Sequence, residues 1–290
     1  MKTVITLVLT DEDQNRLFDA FSDTQAKTPQ YAKWQLKPEN CTITCYTSGK
    51  VVFQGTDCGI YAAPFMKAEG APEDASSAGG FPQAGSDEVG TGDYFGPVCV
   101  CACIVNAADS ALLQQLHVQD SKALDDQVIR RAGPQLTAAL THSLLILDPA
   151  KYNTVHETNN MNAIKAKMHN QAYVNLKKKV ELPDLCVIDQ FMPAESYYRA
   201  VRNEPSVIRG IRFETKAENK YPAVAAASVI ARYAFLLYWD RMEETYGMTF
   251  NKGGGKNADE SAAEFVRRYG FEKLSETAKV HFANTKKIRL

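Results

Sequence analysis

No stretch of this sequence approaches the ~20 apolar residues that a membrane span requires. The run at 3–9 is apolar but leads straight into Asp11-Glu12-Asp13, which is too short for a signal-peptide core and lacks a small-residue cleavage site. A cytoplasmic location without a membrane partner is the expectation. The seven cysteines form no disulfide or zinc framework. Cys99, Cys101 and Cys103 alternate along one predicted strand, so their side chains share a face, and without neighbouring histidines they read as small core residues. Cys41 and Cys45 read the same way. Excess charge is also lacking: the formal net charge is −1, a mild argument against nucleic acid, although local patches matter more than the total. Neither common phosphate motif is complete. Gly90-Thr91-Gly92 has Phe95 where a dinucleotide site needs a third glycine, and Gly253-Gly254-Gly255-Lys256 lacks the upstream Gly and the Ser/Thr of a phosphate loop. No internal repeat is visible.

What is present is a chain of 290 residues with enough apolar content for one large domain or two unequal ones. Residues 1–66 read as a small β-α-β-β unit. A strand at 3–9 precedes a helix capped by Asp11 and carrying Leu17, Phe18 and Phe21, and strands at 41–46 and 51–54 flank a hairpin turn. Residues 67–84 are rich in Gly, Ala, Ser and Pro and read as a linker. From 85 to 290 strands and helices largely alternate. Strands are expected at 84–89, 97–105, 143–147, 185–188 and 207–213, and helices near 109–117, 121–141, 160–179 and 193–203, with a long one from Pro222 to about Tyr246. The fold class is therefore α/β, a mixed sheet flanked by helices.

Residues 85–97 concentrate the chemistry. Asp87 and Glu88 lead into the turn Gly90-Thr91-Gly92, an arrangement that can hold a hard metal ion beside a closely approaching phosphate, or can be a charged hairpin turn and nothing more. Asp189 ends a buried strand, where α/β sheets place their sites, though a helix cap explains it too. Glu218 lies just before the long helix. Together these four carboxylates would repel one another unless cations occupy them, and oxygen-only ligands select Mg²⁺ or Mn²⁺. Two such ions ~4 Å apart suit attack of water on a phosphodiester. Strand alternation points Asp87 and Glu88 to opposite faces, so both reach one site only at a strand end or a bulge. Thr91, Ser121 and Lys122 either contact phosphates or act as turn and cap residues. Lys279, His281, Lys286, Lys287 and Arg289 form either a basic patch or a solvated tail.

The chain resembles the type 2 ribonuclease H family, in its HIII branch, through stretches that occur in family order. These are 85–97, Asp120-Ser121-Lys122, Asn160-Met161-Asn162-Ala163, Met168-His169-Asn170, Ile188-Asp189-Gln190-Phe191, Thr215-Lys216-Ala217-Glu218, Val224-Ala225-Ala226-Ala227-Ser228 and His281-Phe282-Ala283-Asn284-Thr285. The resemblance implies a ribonuclease H-like catalytic domain over 85–290 behind a TATA-binding-protein-like domain at 1–66 that helps hold substrate. It implies a monomer that cleaves the RNA of RNA/DNA hybrids, with Asp87, Glu88, Asp189 and Glu218 as catalytic metal ligands for two Mg²⁺ or Mn²⁺ ions. Products would carry 5′-phosphate and 3′-hydroxyl ends. Amides around Gly90, Thr91 and Gly92 would read 2′-hydroxyls, with Ser121 and Lys122 also on the substrate. The alternatives are HII-like cutting at single embedded ribonucleotides and a non-catalytic hybrid-binding module.

Overall fold

In the computed structural model of the chain, residues 3–56, 58–62, 65, 80–118 and 124–288 are described. The chain divides into two compact units, Met1–Ala75 and Ser76–Leu290.

The first unit runs β1 (Thr3–Val8), α1 (Asp11–Ala20), β2 (Ala32–Leu36), β3 (Cys41–Tyr46), β4 (Lys50–Gly55) and α2 (Cys58–Ala62). Its sheet is antiparallel throughout, in the order β1-β4-β3-β2. The sequence pattern anticipates three of these strands and misses β2, in which only Trp34 and Leu36 are buried apolar residues. The cap of α1 is Thr10 rather than Asp11: the Thr10 hydroxyl accepts the Asp13 amide at 3.2 Å. Leu17 of α1 packs with Trp34, Leu36, Ile43, Val51 and Phe53 on one face of the sheet. Most of the stretch read as linker, its residues 67–79, lies outside the described residues, and its last two residues, 83 and 84, already belong to a strand.

The second unit runs β5 (Gln83–Val89), β6 (Val98–Val105), α3 (Ser110–Gln115), α4 (Asp126–Ala139), β7 (His142–Leu147), α5 (Pro149–His156) and α6 (Met161–Lys177). It continues with β8 (Leu185–Asp189), α7 (Ala194–Val201), β9 (Arg212–Glu214), α8 (Pro222–Tyr246) and α9 (Lys256–Tyr269). The five-stranded sheet has the order β7-β6-β5-β8-β9. Its β5, β6 and β7 are antiparallel neighbours, and β8 and β9 are added parallel to β5. Two expectations need correcting here. The strand expected at 207–213 shrinks to Arg212–Glu214, and α5 is an additional helix.

Helices cover both faces, which is why β6 is apolar at every position. Cys99, Cys101, Cys103 and Val105 pack into the core beneath α4 and α8, while Val100, Ala102 and Ile104 face the opposite core with α6 residues Ala172, Tyr173 and Leu176. Burial pushes the Cys99 thiol up to about 12, so these cysteines are neutral packing groups. Helix α8 begins with Pro222 in its first turn, as its sequence predicts, and Gln83 of β5 accepts the next amide, Ala223 N–H, at 3.2 Å. By length and composition α8 would qualify as a membrane span, contrary to the reading that no stretch does. In this fold 67% of its most apolar stretch is buried, as the central helix of the core.

Candidate active site

The carboxyl ends of the two central parallel strands place two acids side by side. β5 and β8 are in register through Ser86 and Ile188, and the next residue on each strand is an aspartate, Asp87 and Asp189. The β8–β9 register then pairs Asp189 with Glu214. From there the chain turns through Lys216, which adopts a left-handed conformation at φ +54°, into the turn Ala217–Asn219. That turn is anchored on the site, because the Ala217 amide donates to Asp189 Oδ1 at 2.9 Å. Glu218, the next residue, is 2% exposed.

The β5–β6 register runs unbroken from Gln83–Val105 to Val89–Cys99, so no bulge turns Glu88 toward Asp87. Asp87 faces the α8 side, where Ser228 is hydrogen-bonded to it, and its Oδ1 accepts the Glu88 amide at 2.8 Å. Glu88 faces α6. Lys165 Nζ lies 2.5 Å from Glu88 Oε1, and His169 Nε2 donates to Oε2 at 2.8 Å. His169 Nδ1 in turn meets the Ser86 hydroxyl at 2.7 Å, and the Tyr173 hydroxyl donates to Val187 O at 2.6 Å and lies 3.4 Å from Ala84 O. A helix advances ~6 Å in four residues and a strand ~6.6 Å in two. Residues 165, 169 and 173 of α6 therefore keep step with 88, 86 and 84 of β5. Lys165, His169 and Tyr173 form a polar row on the buried face of α6; in the sequence only His169 stood out, within the Met168-His169-Asn170 stretch of the family resemblance and without an assigned role.

The electrostatics of the two neighbouring acids diverge. Burial and then the charge of Glu88 push the Asp87 carboxyl up to about 7, against smaller lowering contributions from Ser228 and the Glu88 amide; Asp189 adds a further raise. For Glu88, burial acts upward but is outweighed by the His169 hydrogen bond and the His169 and Lys165 charges, and the net shift is downward.

Among the described residues, no group of three or more His, Cys, Asp or Glu stands at the spacing of a formed metal site. The donor set nevertheless fits hard cations. Asp87 and Asp189 supply carboxylate oxygens with Glu218 adjoining, and a carboxyl pushed up to about 7 by burial, and then by a neighbouring carboxylate, is the condition that a cation relieves.

The glycine turn after Glu88 is braced from the far end of the chain. Tyr94 N–H donates to Gly253 O, Gly253 N–H to Asp93 Oδ1, Gly96 N–H to Thr277 O and Lys279 N–H to Tyr94 O. Tyr94 and Thr285 share a hydroxyl hydrogen bond at 2.8 Å. Lys279 is fully buried beneath this turn, so it does not belong to a basic surface patch. Within the turn Gly90 is buried, Thr91 half-buried and Gly92 exposed. Asp120, Ser121, Lys122 and Arg289 lie outside the described residues.

Comparison with known proteins agrees with this architecture. Residues 84–285 match the family described as Ribonuclease HII, and residues 4–78 match a Domain of unknown function (DUF3378). Ribonuclease HIII of Bacillus cereus is 40% identical over 278 residues, covering 90% of this chain and 89% of that protein. The structure of Bst-RNase HIII in complex with Mn²⁺ superposes with a TM-score of 0.71 at 34% identity, covering 99% of this chain and 98% of the other. Aquifex aeolicus RNase H3, at 20% identity and a TM-score of 0.57, shares the fold over 96% of this chain and 100% of its own.

Proposed function

The chain belongs to the ribonuclease HIII family and is a ribonuclease H enzyme; from that premise we propose that it cuts the RNA strand of RNA/DNA hybrids endonucleolytically, with two divalent cations, leaving 5′-phosphate and 3′-hydroxyl ends. The observation that carries this reading is that Asp87 and Asp189 each follow the last registered pair, Ser86–Ile188, of adjacent parallel strands, with the Glu218 turn hydrogen-bonded onto Asp189. These three residues would hold Mg²⁺ or Mn²⁺, and Glu88, which faces α6 but stands one residue from the end of β5, would join them by the strand-end route. When bound, such ions supply activation of water and stabilisation of the leaving oxygen.

The chain's own residues do the positioning. Ser228 and the Glu88 amide orient the Asp87 carboxylate, and the Ala217 amide orients that of Asp189. Gly92, an exposed residue with Gly90 and Thr91 beside it, offers backbone donors to a sugar 2′-hydroxyl or a phosphate. Ser121 and Lys122 are assigned to the phosphates of the same substrate. A cleft of about 440 Å³ between the start of α6 and α7 is lined by Asn160, Asn162, Lys167, Arg199 and Arg202, amides and cations that suit phosphate oxygens. In the N-terminal unit Val4 and Val8 leave a sheet face open, and this unit holds the hybrid in our reading. The working form is a single cytoplasmic chain.

The test compares a uniform RNA/DNA hybrid with a duplex carrying one ribonucleotide, each with Mg²⁺, Mn²⁺ or EDTA. Cutting of the first alone, and only with metal, is expected. Asp87→Asn and Asp189→Asn should abolish turnover while hybrid binding persists. Efficient cutting at the single ribonucleotide would move the enzyme to HII-like specificity, and hybrid binding without any cutting would make it a binding module.

A further inference from the structure

Lys165 is an ammonium group with almost no access to water: its side chain is 9% exposed, and Glu88 Oε1 lies 2.5 Å away. Its other neighbour is the face of Phe191, whose ring centre is 3.9 Å from Nζ. A desolvated ammonium needs its anion, and a ring face replaces only part of that attraction. His169 holds the second oxygen of the same carboxylate and is itself fixed by Ser86 and by the Phe191 ring stacked 5.3 Å away. Both oxygens of Glu88 are therefore engaged from the α6 side by groups that do not depend on a bound ion.

We propose that Lys165 is a built-in counter-ion of Glu88, which neutralises this carboxylate when no divalent cation is present and competes with such a cation for it. His169 acts beside it as the positioning residue that keeps the carboxylate aimed. The inference rests on Glu88 being a metal ligand in the proposed site. Its consequence has the opposite sign to that of an ordinary site-building residue. Removing the Lys165 charge tightens divalent-cation binding, because a positive charge next to the incoming ion is lost and Glu88 regains an open oxygen.

The experiment is calorimetric titration of the full chain with Mn²⁺ at pH 8, together with thermal melting in EDTA and in Mn²⁺. Lys165→Gln and Lys165→Met should each bind Mn²⁺ roughly tenfold more tightly than wild type. Both should melt lower than wild type in EDTA and recover more of that loss on adding Mn²⁺, because Glu88 has lost its partner. Lys165→Arg keeps the charge and should bind as wild type does. In a Glu88→Gln background, Lys165→Gln should change Mn²⁺ affinity little, as a double-mutant cycle requires of a pair acting together. Unchanged or weaker Mn²⁺ binding by folded Lys165→Gln would overturn the proposal. So would the same tightening with Glu88 absent, since Lys165 would then act on the ion as a distant charge. Failure of the wild-type chain itself to bind Mn²⁺ saturably is a separate result that removes the metal site and this inference together.

Discussion

Gly85 of β5 lies so close to the Ala223–Val224 peptide of α8 that a methyl group on it would stand 2.3 Å from the Val224 nitrogen and 2.4 Å from the Ala223 carbonyl carbon. Both obstacles are backbone, so neither can swing aside. This approach seats the start of α8 on β5 two residues before Asp87, and it lets Ser228, one turn further along, reach that carboxylate. Gly85→Ala is expected to destabilise the enzyme by about 3 kcal/mol, lowering the melting temperature by roughly 6–12 °C. It should also reduce kcat, because Ser228 moves away from Asp87. Thermal denaturation beside a cleavage assay checks both, and an unchanged melting temperature would show that the backbone yields without strain.

The same contact marks what could and could not be read from the chain. Helix α8 was legible from Pro222 to Tyr246 because its small, apolar residues and its proline start all agree with one outcome. The strands β5, β6 and β8 were legible for the same reason, and with them the places of Asp87 and Asp189. Strand β2 was not, since five residues with two buried apolar side chains give no period to detect. The direction of Glu88 was predicted by alternation alone, and the register of β5 against β6 keeps that alternation to Val89. Its partners were not identified: His169 lay in a stretch shared with the family but carried no role, and Lys165 lies within a helix whose sequence looks only mildly amphipathic, where buried charge becomes visible only when the facing strand supplies its complement.

Two glycines in one turn should behave differently. Gly90 has φ +96°, and a Cβ there would meet Pro97 O at 2.0 Å, so Gly90→Ala should destabilise the fold strongly. Gly92 has open space where its side chain would go. Gly92→Ala should therefore leave the melting temperature within about 1 °C of wild type, a change in stability of only a few tenths of a kcal/mol. It should raise KM for hybrid several-fold, because the added methyl group stands on the turn that approaches the substrate in the proposed site. Wild-type KM in Gly92→Ala would remove this residue from the proposed substrate contacts.

Asn153 ties the C-terminal segment to α5 with one side chain. Its Nδ2 donates to Ser275 O at 3.1 Å and Ala278 O at 2.9 Å, while Oδ1 accepts the Val280 amide at 3.1 Å. Asn153→Ala leaves two carbonyls and one amide to find new partners and should destabilise by about 2–3 kcal/mol. Because this segment braces the 90–97 turn, hybrid affinity should fall as well. Urea denaturation of Asn153→Ala and of Asn153→Asp, whose second carboxylate oxygen would face the Ser275 and Ala278 carbonyls with no hydrogen to donate, should rank wild type first and Asp last.

Lys279 gives stability a pH dependence whose sign follows from its burial. Its Nζ donates to Phe95 O at 3.2 Å and Gly96 O at 2.6 Å, and two acceptors are what a neutral amine, with two N–H bonds, can satisfy. Burial pushes this amine down to about 7, against a smaller upward pull from Asp93. In the unfolded chain it keeps the usual lysine value near ~10.4. Between these values the unfolded state holds a proton that the folded state has released, so stability from this group rises with pH through the window and is flat below it. The Lys279→Met variant has no such proton. The stability of wild type relative to Lys279→Met should therefore climb by about 1.4 kcal/mol per pH unit from pH 8 to 9.5 and level off below pH 6.5. Paired urea melts across that range measure the difference directly, with all other titrating groups cancelling. A flat difference would mean that Lys279 stays protonated under the glycine turn, with its third N–H directed to a group other than the Phe95 and Gly96 carbonyls.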